Sequence, residues 1–212
     1  MTEELIQGSE EWLRARLGKV TASRIADLMA RTKSGYGASR ANYMAELICE
    51  ILTDQPTETY INAAMQRGTE KEPDARAAYE LATDADVELI GFVHHPTIES
   101  AGCSPDGLVG SDGLVEIKAP NTATHIDTLL SGSVADKYNK QVQFQMAVTG
   151  RKWCDFVSYD DRLPGSMRIF IKRVERDDKL ISEIETEIGL FLAEMRAKID
   201  LLRARYERRE AA

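Results

Sequence analysis

Cysteine, histidine and proline are scarce in this chain of 212 residues, which holds three, three and six of them. Cys49, Cys103 and Cys154 lie about fifty residues apart and form no C-x-x-C pair. A disulfide framework is therefore not expected, and neither is a structural zinc site, even with His94, His95 and His125 added. Cys49 and Cys154 fall in apolar segments and read as inert core thiols. No apolar run approaches the ~20 residues of a membrane span. The opening stretch MTEELIQGSEEW is acidic and lacks the basic-then-apolar layout of a secretory leader, so a cytoplasmic location is expected. Repeats, low-complexity tracts and long Pro/Gly/Ser linkers are missing too. That points to a single domain over residues 1–212, with enough apolar sequence (43%) to bury a substantial core.

What is present is charge, unevenly spread. The net charge is −8, yet Arg14, Arg16, Lys19, Arg24, Arg31, Lys33 and Arg40 are opposed within their span by Asp27 alone. A locally basic stretch can bind phosphates on an acidic protein, although a solvated basic face is the more ordinary meaning of such a run.

Periodicity supplies an outline. Trp12–Gly18 has helical spacing and stops at a glycine, and Thr21-Ala22-Ser23 offers hydroxyls to cap a helix to about Ala30. Arg31–Ala38 reads as a flexible loop. Ser39–Thr53 is an amphipathic helix. A further helix is expected over Gly68–Ala82, beginning in earnest at Pro73, because proline suits a first turn. Val87–His94, Thr97–Cys103, Leu114–Ala119, Cys154–Tyr159 and Met167–Val174 read as strands, and Val134–Thr149 as a helix. A long helix follows from Asp177 to about Arg208, with apolar residues three or four apart. Helices around a short mixed sheet make the fold class α/β.

The stretch CSPDGLVGSDGLVEIKAP, Cys103–Pro120, carries the chemistry. Ser-Pro-Asp-Gly is a common β-turn, and Glu-x-Lys on a strand is commonly a weak ion pair, so either fragment alone reads as structural. Together they say more. Period-two alternation puts Glu116 and Lys118 on one strand face and Val115 and Ile117 on the other. An antiparallel return across the short connection brings Asp106 towards Glu116. Facing carboxylates repel unless a cation lies between them, and oxygen-only ligands favour Mg²⁺ or Mn²⁺. A lysine on the same face can orient or deprotonate a water, or stabilise charge on a phosphorane. Phosphodiester hydrolysis needs those parts. Asp112 reads as ordinary turn chemistry before a strand.

Pro105-Asp106 followed by Glu116-Ile117-Lys118 resembles the PD-(D/E)xK nuclease signature. With W-L-R-A-R-L-G-K-V-T-A-S, R-G-T-E-K-E-P-D-A-R and K-Q-V-Q-F-Q-M in collinear order, most of the chain resembles the lambda-type exonuclease family, the YqaJ-like viral recombinases of phage recombination. The resemblance implies a restriction-endonuclease-like core and a pair of Mg²⁺ ions, for which Mn²⁺ can substitute. Asp106, Glu116, the backbone carbonyl of Ile117 and Glu72 would be ligands, with Glu70 as the alternative to Glu72. Lys118 would act on the attacking water. Gln141 would approach the same centre, Gln143 being the less favoured neighbour. Arg16, Ser23 and Ser104 would hold a 5′-terminal phosphate, with Lys33 where relatives carry arginine. Met65 would be a strand-separating wedge or else a core residue.

The implied activity is Mg²⁺-dependent 5′→3′ exonuclease action on linear double-stranded DNA, releasing 5′ mononucleotides. The 3′ overhang would serve a single-strand annealing protein, and a homotrimer would encircle the DNA ends. Two other readings stand beside it. One is a PD-(D/E)xK endonuclease or a Cas4-like nuclease, the latter disfavoured by the missing four-cysteine cluster set. The other is a non-catalytic scaffold that binds DNA ends, disfavoured by the intact Asp106, Glu116 and Lys118.

Overall fold

A computed structural model describes residues 7–57 and 63–207. In chain order the first elements are α1 (Glu10–Arg16), β1 (Val20–Thr21), α2 (Ile25–Leu28), β2 (Arg31–Thr32), β3 (Gly35–Tyr36), α3 (Ala38–Thr53) and α4 (Ala63–Thr83). Five strands follow: β4 (Val87–Glu88), β5 (Val93–His94), β6 (Ala101–Cys103), β7 (Gly107–Val109) and β8 (Gly113–Lys118). The chain closes with α5 (Thr122–Ser131), α6 (Asp136–Thr149), β9 (Trp153–Tyr159), β10 (Ile169–Glu175) and α7 (Asp178–Tyr206).

The main sheet has the order β10-β9-β8-β7-β4. Its centre, β8, runs antiparallel to β7 and parallel to β9. The parallel pairing requires a crossover, which α5 and α6 provide. Alternation along β8 sorts its side chains between two layers. Val115 and Ile117 pack with Ala75 and Tyr79 of α4. Leu114 packs on the other side with Val142 and Met146 of α6. Glu116, sharing the Leu114 face, therefore points at α6. On the far side of α6, Phe144 and Val148 join Ile184, Ile188 and Phe191 of α7 in the largest core cluster. The apolar spacing of α7 is the reason it packs there: Ile181, Ile184, Ile188, Met195 and Ile199 are all buried. Asp177 caps its start by accepting from Lys179 N and Leu180 N.

Several sequence-based expectations need correction. Arg31–Ala38 is not a loose loop: it contains the β2–β3 hairpin, pinned to α7 where Arg31 pairs with Glu187 (2.5 Å) and the Tyr36 hydroxyl donates to the same carboxylate (2.8 Å). Helix α4 begins well before Pro73 and runs through it. Proline deletes one helical donor, but burial of Ala75 and Tyr79 against the sheet outweighs that local penalty. Val87–His94 is not one strand, because Val87–Glu88 pairs with β7 while Val93–His94 pairs with β6 of a separate sheet. Only Ala101–Cys103 of the expected Thr97–Cys103 strand is extended. The segment around Thr21–Ala30 divides into β1, a 3₁₀ turn (Ala22–Arg24) and the single turn of α2, and Thr21 makes no side-chain cap. Helix α5, capped by Asn121, was not anticipated. Cys49 is exposed rather than a core thiol, whereas Cys154 is buried. In the turn before β8 the Asp112 carboxylate meets Lys152 at 3.0 Å.

Candidate active site

The β7–β8 register places the site. Gly107 faces Val115, so one step further along the hairpin Asp106 reaches the level of Glu116. The Asp106 carboxylate turns inward and accepts the backbone N–H of Ile117 at 2.6 Å. Glu116 is almost fully enclosed, at 1% exposure. Its Oε1 accepts from Gln141 at 2.5 Å and from the Lys118 ammonium at 2.5 Å; its Oε2 accepts from Gln145 at 2.7 Å. Gln141 and Gln145 lie one turn apart on α6, so both amides face β8. Gln143 points elsewhere, donating to the Glu175 carbonyl and accepting from Asp177 N.

The electrostatics follow from crowding acids into a confined space. Burial pushes the Asp106 carboxyl well above the usual carboxylate range, and the charges of Glu116 and Glu72 push it further. Lys118 and the Ile117 N–H oppose that rise without cancelling it. Burial also raises Glu72, with Glu116 adding to it and Arg76 and Lys118 working against it. For Lys118, desolvation disfavours the charged form, yet Glu116 and Asp106 more than compensate and hold it as an ammonium.

The same cleft, of about 150 Å³, extends past Ser104 to Trp12, Arg16 and Ser23. Arg16 stacks on the Trp12 ring at 3.9 Å. Burial lowers its pKa, while Tyr43, Glu50 and Cys103 act in the opposite sense. No carboxylate among the described residues forms an ion pair with it. The Trp12 indole donates to Ser104 Oγ at 2.9 Å, which uses an oxygen lone pair and not the hydroxyl hydrogen. Gln7 closes the rim by donating to the Pro105 carbonyl.

The fold thus gathers Asp106, Glu116, Lys118, Gln141, Arg16, Ser23 and Ser104 around one opening. Glu72 stands beside it, half-buried and electrostatically linked to both Asp106 and Glu116, while exposed Glu70 accepts from Gln66. Lys33 does not line the cleft; it sits exposed in the turn of the β2–β3 hairpin. The Met65 side chain lies outside the described residues. Gln145, Trp12 and Gln7 belong to the site and had no role in the reading from sequence. The signal for Gln145 was its position one helical turn after Gln141.

The YqaJ-like viral recombinase domain matches residues 11–152, well over half of the chain and including every catalytic candidate. The chain belongs to the YqaJ-like viral recombinase family. Among solved structures, it is 59% identical to an alkaline exonuclease, LHK-Exo, from Laribacter hongkongensis, with a TM-score of 0.88, covering 94% of this chain and 99% of that one. LHK-Exo in complex with dAMP superposes with a TM-score of 0.89 at 58% identity, over 94% of this chain and 99% of that one. A phage-related exonuclease from Haemophilus somnus 129PT, 16% identical over 87% of this chain and 96% of that one, shares the fold with a TM-score of 0.70. No curated protein matches the chain. For a YqaJ-like domain, the mixed sheet and long terminal helix are the framework that brings the hairpin acids to α6. No helix among the described residues is long and apolar enough to cross a membrane.

Proposed function

We propose that this YqaJ-like protein is a Mg²⁺-dependent deoxyribonuclease that degrades one strand of linear double-stranded DNA from its 5′ end. It releases 5′ mononucleotides and leaves a 3′ overhang. The observation that carries this reading is the one cleft in which an acid pair with a lysine stands next to Arg16, which makes no ion pair with a carboxylate among the described residues. Hydrolysis at the acids while Arg16 holds a neighbouring phosphate is the geometry of an enzyme that measures from a strand end. An endonuclease has no use for a terminal-phosphate pocket at that place. The kinship with LHK-Exo and that protein's complex with dAMP support the same reading.

The donor set fits a hard divalent cation. Three acids, Asp106, Glu116 and Glu72, influence one another around the single ammonium of Lys118, which leaves a negative excess in a partly desolvated place. Gln145 Oε1 adds a buried oxygen without a hydrogen-bond partner among the described residues. Among the described residues no group of three or more His, Cys, Asp or Glu side chains is arranged to hold a metal ion by itself, so the Ile117 carbonyl and water would have to supply further oxygens. Asp106, Glu116 and the Ile117 carbonyl would hold Mg²⁺, or Mn²⁺ in its place, with Glu72 completing the set. The bound ions would polarise the scissile phosphate and supply hydroxide at neutral pH. Lys118, held as an ammonium, orients the nucleophilic water and offsets the negative charge that builds on the oxygens of the pentacoordinate phosphorus. Gln141 and Gln145 keep the Glu116 carboxylate in one orientation. Arg16 grips the terminal phosphate through a two-pronged fork, and Ser23 and Ser104 add hydroxyl donors. A homotrimer around the DNA and delivery of the overhang to a single-strand annealing protein belong to the same proposal.

Incubation with Mg²⁺ and either blunt linear or closed circular duplex tests the reading. Loss of the linear form alone, with mononucleotide product and release of a 5′ label before a 3′ label, is expected. Cutting of the closed circle would make the protein an endonuclease, and retention of both forms an inert binder. A second result is expected for the phosphate pocket. The wild type should digest 5′-phosphoryl ends at least ~10-fold faster than 5′-hydroxyl ends, and Arg16→Ala should erase that preference. Equal rates on both ends in the wild type would remove the pocket from the mechanism.

A further inference from the structure

Gln145 has an assignment problem that the rest of the site does not. It is fully buried, with 0% exposure, in the wall of the cleft that holds Asp106, Glu116 and Lys118. Its amide nitrogen donates to Glu116 Oε2 at 2.7 Å. The orientation of that amide is set by chemistry: reversing it would aim the carbonyl oxygen at a carboxylate oxygen. With the nitrogen committed, Oε1 is a buried acceptor that no described residue satisfies. Orphaned buried acceptors are costly, so one retained beside an acid cluster calls for a ligand. Neighbouring Gln143 shows the ordinary alternative on the same helix, with both amide atoms spent on backbone partners.

We propose that Gln145 is a positioning residue for the metal centre. Its N–H locks the second oxygen of Glu116, and its Oε1 accepts a hydrogen bond from a water of the hydrated divalent cation. The proposal rests on the metal-dependent reading above and deepens it, because Mg²⁺ keeps several of its waters and needs acceptors for their protons. Gln141 and Gln145 then hold one Glu116 oxygen each, and the buried Oε1 of Gln145 is turned to the ion's water shell.

The test is Mg²⁺ binding to the intact protein by titration calorimetry, with cleavage of linear duplex across Mg²⁺ concentrations as the second readout. Gln145→Met keeps the side-chain length and deletes both amide functions. It is expected to weaken Mg²⁺ binding ~10–100-fold and to raise the Mg²⁺ concentration for half-maximal cleavage by a similar factor. The KM for DNA should be unchanged, and most of kcat should return at saturating Mg²⁺. Gln143→Met removes the same amide two residues away and should leave Mg²⁺ binding unaltered. Should Gln145→Met fail to fold, Gln145→Asn withdraws the amide by one methylene and is read in the same way. If the wild type binds Mg²⁺ and the Gln145 variant binds it as tightly, with only a lower melting temperature in chelator, Gln145 is a packing residue and the proposal is wrong. If the wild type binds no Mg²⁺, the functional reading falls and takes this proposal with it.

Discussion

Asp106→Asn is expected to lower Mg²⁺-dependent cleavage of linear duplex by ~10³-fold or more while leaving DNA binding in place. Replacing a charged oxygen ligand by an amide forfeits several kcal/mol of transition-state stabilisation, and each 1.4 kcal/mol is about a factor of ten. The same variant should melt a few degrees higher than the wild type in chelator at neutral pH. Burial and the Glu116 charge raise the folded-state pKa of Asp106 above its unfolded value. Such a group stabilises the fold while protonated, and that contribution is lost as pH rises through the folded pKa. At neutral pH, above the unfolded value, the buried acid group therefore costs the metal-free protein stability, a cost that the non-titrating asparagine removes. The Ile117 N–H keeps an acceptor, since the asparagine carbonyl can replace the carboxylate oxygen. For a domain of this size each kcal/mol recovered is worth ~2–4 °C. Well below the ordinary aspartate value of 3.8, where the group is protonated in both states, the difference in melting temperature should vanish. Undiminished cleavage would remove Asp106 from the mechanism, and an unchanged melting temperature would deny the crowding of charge.

Lys118→Ala should cost ~10²–10⁴-fold in kcat at saturating Mg²⁺, the range for loss of a group that manages the nucleophile and its proton. Metal affinity should stay the same or improve. In the cation-free site the ammonium is the counter-charge of Glu116, 2.5 Å from its Oε1, and so competes with an incoming cation for that oxygen. Deleting it removes the competitor along with the catalytic group. Kinetics at several Mg²⁺ concentrations separate the effects. Activity restored in full by excess Mg²⁺ would mean that Lys118 only assists metal binding.

Much of the site was legible because it rests on short-range rules. Alternation in Leu114–Lys118 put Glu116 and Lys118 together, and the turn before it returned Asp106 to their level. Helical spacing likewise marked the apolar stripe of α7. Long-range pairing was harder. Nothing local tells Arg31 and Tyr36 to bind Glu187, more than 150 residues away, so the sequence pattern there reads as a loop where the structure holds a hairpin. The alternation through Val87–His94 is compatible with one strand, and only the positions of β6 and β7 show that the chain changes sheets there. The proline in α4 was weighed by propensity, which tertiary burial overrode.

By itself the sequence determined which chemical groups share a strand face or a helix face, because backbone geometry repeats every two or 3.6 residues wherever the chain runs. The tertiary structure alone decided which faces meet. It set Gln145 against Glu116, brought Arg16 into the cleft of the acids with no ion pair among the described residues, and kept Lys33 out of that cleft. Those outcomes depend on how α6, α1 and the β2–β3 hairpin pack against strands far away in the chain, a matter of shape and buried surface that no local period encodes.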